Sequence, residues 1–164
     1  MYKDYRVADQ RIASFVHSAL GDARTVLNIG AGTDPYEPTD REVTAVEPSA
    51  TVRERRPAHL PRAIDASAEL LPFVDGAFDA AMGTFTGHQW ANLAGGLAEV
   101  RRVTRGEVAF LTCDPALLGT WCTEAWRTRL ASMHQRRVSP ELSETFAARS
   151  VYWAVEYRRP INVA

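Results

Sequence analysis

The chain of 164 residues, 46% hydrophobic and 24% charged, has the size and composition of one globular unit with a single sizeable core, and a second domain is not expected. Nineteen basic against twenty acidic side chains leave a net charge of −1, which excludes a global field drawing in nucleic acid or an anionic membrane surface. No run approaches the ~18 apolar residues of a membrane span, the start MYKDYRVADQ lacks the apolar stretch of a signal peptide, and Cys113 and Cys122 stand outside any CxxC or Cys/His cluster, so a reduced, cytoplasmic protein without a metal site is expected.

In chain order, RIASFVHSAL sets Ile12, Phe15, Val16, Ala19 and Leu20 at helical spacing, with Gly21 as a stop, and predicts a helix ahead of the first strand. TVLNI (Thr25–Ile29) and EVTAVEP (Glu42–Pro48) are short, β-branched-rich runs and read as buried strands. SATVRERR is polar and helix-compatible, RAI (62–64) reads as a short third strand, and FDAAMGTF from Phe78 as a fourth. NLAGGLAEVRRV carries Leu93, Leu97, Val100 and Val103 on one helical face, and EVAFLTC (Glu107–Cys113) reads as a fifth strand. This alternation predicts an α/β fold, a mostly parallel sheet with flanking helices. Beyond it, ALLGTWCTEAWRTRLASM repeats apolar residues at roughly helical intervals, SPELSETFAARS opens like a helix capped by Ser139 before Pro140, and VYWAVEYRR alternates as a late antiparallel strand. The arginine groups Arg53/Arg55/Arg56, Arg101/Arg102/Arg105, Arg136/Arg137 and Arg158/Arg159 read as solvated faces.

The chemistry-bearing stretch is VLNIGAGTDPYEP. A loop leaving the carboxyl end of a strand in an open α/β sheet lies where such folds bind ligands, and Gly30 and Gly32 allow a sharp turn and close ligand approach. A dinucleotide fingerprint would place a third glycine at position 35 and then a helix whose amino end holds pyrophosphate, but position 35 is proline. Only thirteen residues, Gly30 to Glu42, reach the next strand, so the first crossover is shortened and its helix reduced to a turn or lost. Glu47, fifteen residues beyond Gly32, is placed to accept two hydrogen bonds from a ribose diol; its alternative role is a charge at the start of the following helix. Asp65, past the third strand, suits an adenine amino group, with the Ala66 amide donating to a ring nitrogen; alone it would cap a turn.

Through VLNIGAGTDPYEP, VTAVEPS, DASAELLPFVDGAFDAAMGTFTGHQW and LAEVRRVTRGEVAFLTCDP the sequence resembles class I S-adenosylmethionine-dependent methyltransferases, in particular the small type 11 group. The most specific piece is LPFVDGAFDAA, and the likeness runs from about Arg11 to Pro115. The resemblance implies a Rossmann-like fold in one domain: residues 1–21 as an amino-terminal cap, 22–115 as the cofactor-binding core and 116–164 as a short acceptor-side region. It implies S-adenosyl-L-methionine as cofactor and S-adenosyl-L-homocysteine as product. Gly30, Ala31 and Gly32 would line the methionine portion, Glu47 would hold the ribose, Asp65 and Ala66 the adenine, and Thr84 would sit near the sulfonium end, with Pro48 also among the cofactor-binding residues. Tyr5, Arg6 and Arg11 would belong to a segment closing over the cofactor, an arginine there pairing with its carboxylate. Asp34 stands where the family commonly has a third glycine, and the chain after the fifth strand is shorter than relatives usually carry.

Methyl transfer from a sulfonium needs alignment, exclusion of water and, for a hydroxyl acceptor, a base. His88, directly after the fourth strand, is the first candidate and Asp114, after the fifth, the second; their alternatives are loop packing and a helix cap. Tyr36, Phe85, Trp90, Trp121 and Trp126 are candidates for the wall of an acceptor pocket, and a small-molecule acceptor is expected. Two competing readings are a non-catalytic module of the same fold and an NAD(P)-binding oxidoreductase.

Overall fold

The computed structural model describes residues 10–33, 36–113, 134–136 and 152–156. Helix α1 (Gln10–Ala19) leads into β1 (Thr25–Ile29), then β2 (Glu42–Val46), α2 (Ala50–Glu54), β3 (Ala80–Thr84), a single 3-10 turn (Gly87–Gln89), α3 (Leu93–Val103), β4 (Val108–Cys113), β5 (His134–Arg136) and β6 (Tyr152–Glu156). The strands form one sheet in the order β2-β1-β3-β4-β6-β5. β1 pairs in parallel with β2 (Leu27 opposite Thr44) and with β3 (Leu27 opposite Ala81), and β3 with β4 (Met82 opposite Ala109).

Alternate side chains of these strands go to opposite faces. Leu27, Ile29, Ala81 and Val108 join Leu97, Val100 and Val103 of α3, with Leu71 and Phe78, in one core. Val26, Ala80, Met82, Ala109 and Leu111 join Val16 and Leu20 from the α1 side, with Tyr36, in the other. The sheet is therefore covered on both sides, which is why its strands read as near-continuous apolar runs. Each later helix starts on its own cap: the Ser49 hydroxyl accepts from the Val52 amide at 3.4 Å, and the Asn92 side-chain oxygen from the Gly95 amide at 2.9 Å. Leu93, expected on the buried face of α3, is instead exposed at the first turn.

Between β1 and β2 no helix forms among the described residues, as the short spacing predicts. The expected third strand at 62–64 is reduced to one parallel bridge, Val46 to Ile64, in which the Ile64 amide donates to Ala45 and its carbonyl accepts from Glu47. Pro61 lacks an N–H and Asp65 begins a bend, so the ladder has no residues to extend through. The late strand also differs from expectation: β6 runs parallel to β4 (Leu111 opposite Trp153), and the antiparallel partner is the edge strand β5. Period-two alternation marks a segment as extended but carries no direction, and the long connection after β4 leaves room for a parallel return. The helices expected at 116–133 and 139–150 lie outside the described residues.

The LPFVDGAFDAA stretch is a structural fastening. Phe73 meets Phe78 edge-on at 4.9 Å between ring centroids. Asp79 accepts from the amides of Arg24 and Thr25 and from Arg105, contacts that hold its carboxyl well below the usual range, the arginine foremost. Glu99 takes Arg102 on both oxygens at 2.8 Å and also the Leu71 amide, and the Arg102 hydrogen bond above all pulls its pKa down to about 2 from 4.5. A native pKa below the ordinary one means that this stabilisation is complete above about pH 4.5 and is lost as pH falls toward 2. Thermal melts across that window should show Glu99→Gln less stable than the wild type near neutrality and less sensitive to acid. Parallel curves for the two proteins would remove Glu99 from the account.

Candidate functional site

At the carboxyl end of β1 the chain turns through Gly30 and Gly32, whose φ angles of +61° and +52° lie in the left-handed region. The two glycines serve different ends. A Cβ on Gly30 would sit 1.9 Å from the Thr86 hydroxyl oxygen, so the close approach there is made by the chain itself. Thr86 is buried, and its hydroxyl accepts from the Trp90 indole at 3.1 Å. The preceding residue, Phe85, holds φ at +54°, fixed by its amide donating to the Leu111 carbonyl at 2.7 Å. Such a conformation costs a non-glycine residue about 1–3 kcal/mol and persists only where its surroundings enforce it. At Gly32 the nearest atom to an added Cβ is the Gly30 carbonyl oxygen at 3.8 Å, so that side of the backbone is open.

The loop amides are already committed. Ala31 N–H donates to the Val46 carbonyl at 2.9 Å, and Gly32 N–H to Glu47 Oε2 at 3.1 Å. The other Glu47 oxygen accepts from the Ser49 amide at 2.9 Å, and the residue is buried. Glu47 is thus held at the end of β2 by two backbone donors. An ionised carboxylate offers about four lone-pair sites, so one per oxygen remains for a ligand bearing two hydroxyls. A phosphate-binding loop works the other way, aiming free amides at an anion. This loop is organised around a carboxylate.

Asp65 lies near the same sheet end, just after the bridge that ties Ile64 to Val46. Its side chain is 71% exposed and meets Arg53 at 2.9 Å. Arg53 also donates to the carbonyls of Glu47 (2.7 Å) and Pro48 (2.9 Å), so one guanidinium links the ends that carry Glu47 and Asp65. Arg56, the last arginine of that stretch, is only 3% exposed in its side chain and is paired with Glu37. Neither residue is the solvated charge expected from the sequence. Both were hidden because the groups that engage each cation are distant from it in the chain.

Gly30, Ala31, Gly32, Glu47, Asp65 and Ala66 therefore cluster at the carboxyl ends of β1 and β2, and Thr84 ends β3 beside them. Arg11 belongs to α1 and His88 to the 3-10 turn after β3; their side chains, with Tyr5, Arg6 and Asp114, lie outside the described residues. The aromatic residues do not share one wall. Tyr36 and Phe85 (centroids 6.5 Å apart) belong to the α1-side core, whereas Trp90 and Phe110 (5.4 Å apart) belong to the α3-side core. Trp121 and Trp126 lie outside the described residues. Among the described residues no cluster of His, Cys, Asp and Glu suits a metal ion, and no helix is long and apolar enough to cross a membrane.

Residues 27–112, just over half of the chain, match the family model described as a methyltransferase domain. Among solved structures, a putative methyltransferase from an antibiotic biosynthesis pathway of Anabaena variabilis is 28% identical with a TM-score of 0.55, over 61% of this chain and 43% of that one. A methyltransferase of Thermotoga maritima, described as S-adenosylmethionine-dependent and a possible histamine N-methyltransferase, is 26% identical with a TM-score of 0.51, over 57% of this chain and 45% of that one. The chain spans less than half the length of either. An S-adenosylmethionine-dependent methyltransferase of Aquifex aeolicus, 18% identical, shares the fold with a TM-score of 0.57 over 77% of this chain and 81% of that one. No curated protein sequence matches significantly.

The two glycines should respond differently to substitution. Gly32→Ala should cost about 1–2 kcal/mol for its left-handed backbone, whereas Gly30→Ala should add roughly 1–3 kcal/mol of overpacking against Thr86. Urea denaturation that ranked the two equally would contradict this division of roles.

Proposed function

The chain belongs to the methyltransferase-domain family, and from that premise we propose that it transfers the methyl group of S-adenosylmethionine to a small-molecule acceptor. One observation carries the cofactor choice: the Gly32 amide is spent on Glu47, so the loop presents a fixed carboxylate suited to a ribose diol and not a nest of free amides suited to pyrophosphate. The same observation speaks against a nicotinamide dinucleotide, whose diphosphate would need those amides. The residues present fit the cofactor: an open backbone side at Gly32, a diol acceptor with one lone pair left on each oxygen, and an exposed carboxylate at Asp65 for an exocyclic amine. Gly30, Ala31 and Gly32 would border the methionine portion, Glu47 the ribose with Pro48 beside it, Asp65 and Ala66 the adenine, and Thr84 the sulfonium end, with Tyr5 and Arg11 in a segment closing over the cofactor and an arginine there pairing with its carboxylate.

When bound, the cofactor supplies an activated methyl group on a good leaving group. The chain's own work is to hold and align both reactants, keep water out, and take a proton where the acceptor is a hydroxyl. His88 is assigned that proton because its turn follows directly on β3, and Asp114, after β4, is the second candidate. The small-molecule acceptor is supported by the two relatives above 25% identity, one described from antibiotic biosynthesis and one as a possible histamine N-methyltransferase.

Calorimetry should find S-adenosylhomocysteine binding and NAD not. Glu47→Ala should weaken that binding by roughly 10- to 100-fold, the worth of hydrogen bonds to a charged group. His88→Ala should lower turnover by about 10²-fold while leaving S-adenosylhomocysteine affinity unchanged. Binding of NAD in place of S-adenosylhomocysteine would reverse the assignment, and wild-type turnover in His88→Ala would free that residue of its role.

A further inference from the structure

A buried charged pair sits behind the glycine loop, outside the contacts assigned to the cofactor. Glu37, in the shortened crossover, and Arg56, just past α2, have side chains that are 1% and 3% exposed. Glu37 Oε2 accepts from Arg56 and from the Asn28 side-chain amide of β1, the latter at 2.8 Å. Glu37 Oε1 is buried with no hydrogen bond among the described residues, so the neutralisation of this carboxylate rests on Arg56. The rest of the guanidinium is spent on backbone: Nε donates to the Pro61 carbonyl at 2.6 Å, and the arm not facing Glu37 donates to the carbonyls of Gly32 (3.1 Å) and Ala31 (3.4 Å).

Gly32 is consequently gripped from both sides, its amide by Glu47 and its carbonyl by Arg56. A left-handed glycine has many alternative conformations to escape to, and these two bonds remove them. In an ordinary parallel crossover a helix follows the loop after β1 and restrains it; here the crossover is too short for one. We propose that Arg56, anchored by Glu37, is a positioning residue that takes over that function: it sets the glycine loop in its binding conformation before any ligand arrives, and so governs cofactor affinity and not the rate of transfer. The inference deepens the methyltransferase reading and rests on it for the identity of the ligand.

Arg56→Lys separates this role from simple stabilisation, because lysine keeps a cation for Glu37 but has no planar fork to reach three carbonyls at once. The measurements are amide hydrogen exchange of residues 30–33 in the ligand-free protein, S-adenosylhomocysteine affinity by calorimetry, and thermal stability. Arg56→Lys should recover most of the stability lost in Arg56→Met, yet exchange at 30–33 should quicken and affinity should fall, each by roughly tenfold or more, while β3 and β4 amides keep their protection and turnover at saturating cofactor is unchanged. Should Arg56→Lys fail to fold, the charge-balanced pair Glu37→Gln with Arg56→Met takes its place with the same expected changes. Wild-type exchange at 30–33 in a folded variant overturns the proposal, as does unaltered affinity despite faster exchange. A wild-type protein that does not bind S-adenosylhomocysteine would instead refute the cofactor assignment, and the exchange measurement would still decide whether Arg56 holds the loop.

Discussion

Two parallel neighbours such as β1 and β2 require the chain to travel back along a full strand length, and a helix usually makes that return while covering one face of the sheet. Here residues 30–41 must do so, with Pro38 among the crossover residues near its end. So short a connection leaves polar backbone against the core with no helical ladder to satisfy it. The buried set of Asn28, Glu37 and Arg56 meets that need, and His17 adds to it by donating to the Tyr36 carbonyl at 2.9 Å. Removing one partner of such a buried pair typically costs about 3–5 kcal/mol, so the crossover conformation and the pair stand or fall together.

From that constraint the ligand end of the molecule follows. Because the crossover is held from below by side chains, the loop amides are free to bond inward, Ala31 to Val46 and Gly32 to Glu47. The inward amide fixes Glu47, and the fixed Glu47 favours a diol over a phosphate. Arg53 extends the same logic outward by tying the Glu47 and Pro48 carbonyls to Asp65, although an exposed pair of this kind contributes orientation more than stability. Thr86 closes the other side of the loop, occupying the space that Gly30 leaves and drawing Trp90 toward the end of β3.

The parts of this arrangement that depend on local pattern were legible in the sequence. β1 is an apolar, β-branched run ended by a glycine, and α3 follows its own spacing except at Leu93, where the first turn lifts the side chain away from the core. The glycine loop and Glu47 were legible because their spacing reflects strand ends in one sheet. What pattern could not convey is what tertiary contact decides. RAI has strand-like residues, but one bridge is all its flanking Pro61 and Asp65 permit. VYWAVEYRR alternates convincingly, yet its direction is set by the neighbour it meets. Arg53 and Arg56 looked like surface charge because their partners lie 12 and 19 residues away in the chain. Gly30 looked like room for a ligand, whereas the space is filled by Thr86.

In this reading the glycine loop, bonded to its own chain, holds Glu47 ready for the ribose of S-adenosylmethionine. A crystal structure with bound S-adenosylhomocysteine tests it most directly. The account predicts both ribose hydroxyls within hydrogen-bonding distance of the Glu47 carboxylate, with the Gly32 amide and carbonyl still bonded to Glu47 and Arg56. A ligand seated elsewhere, or a loop that abandons those two bonds to receive it, would contradict it.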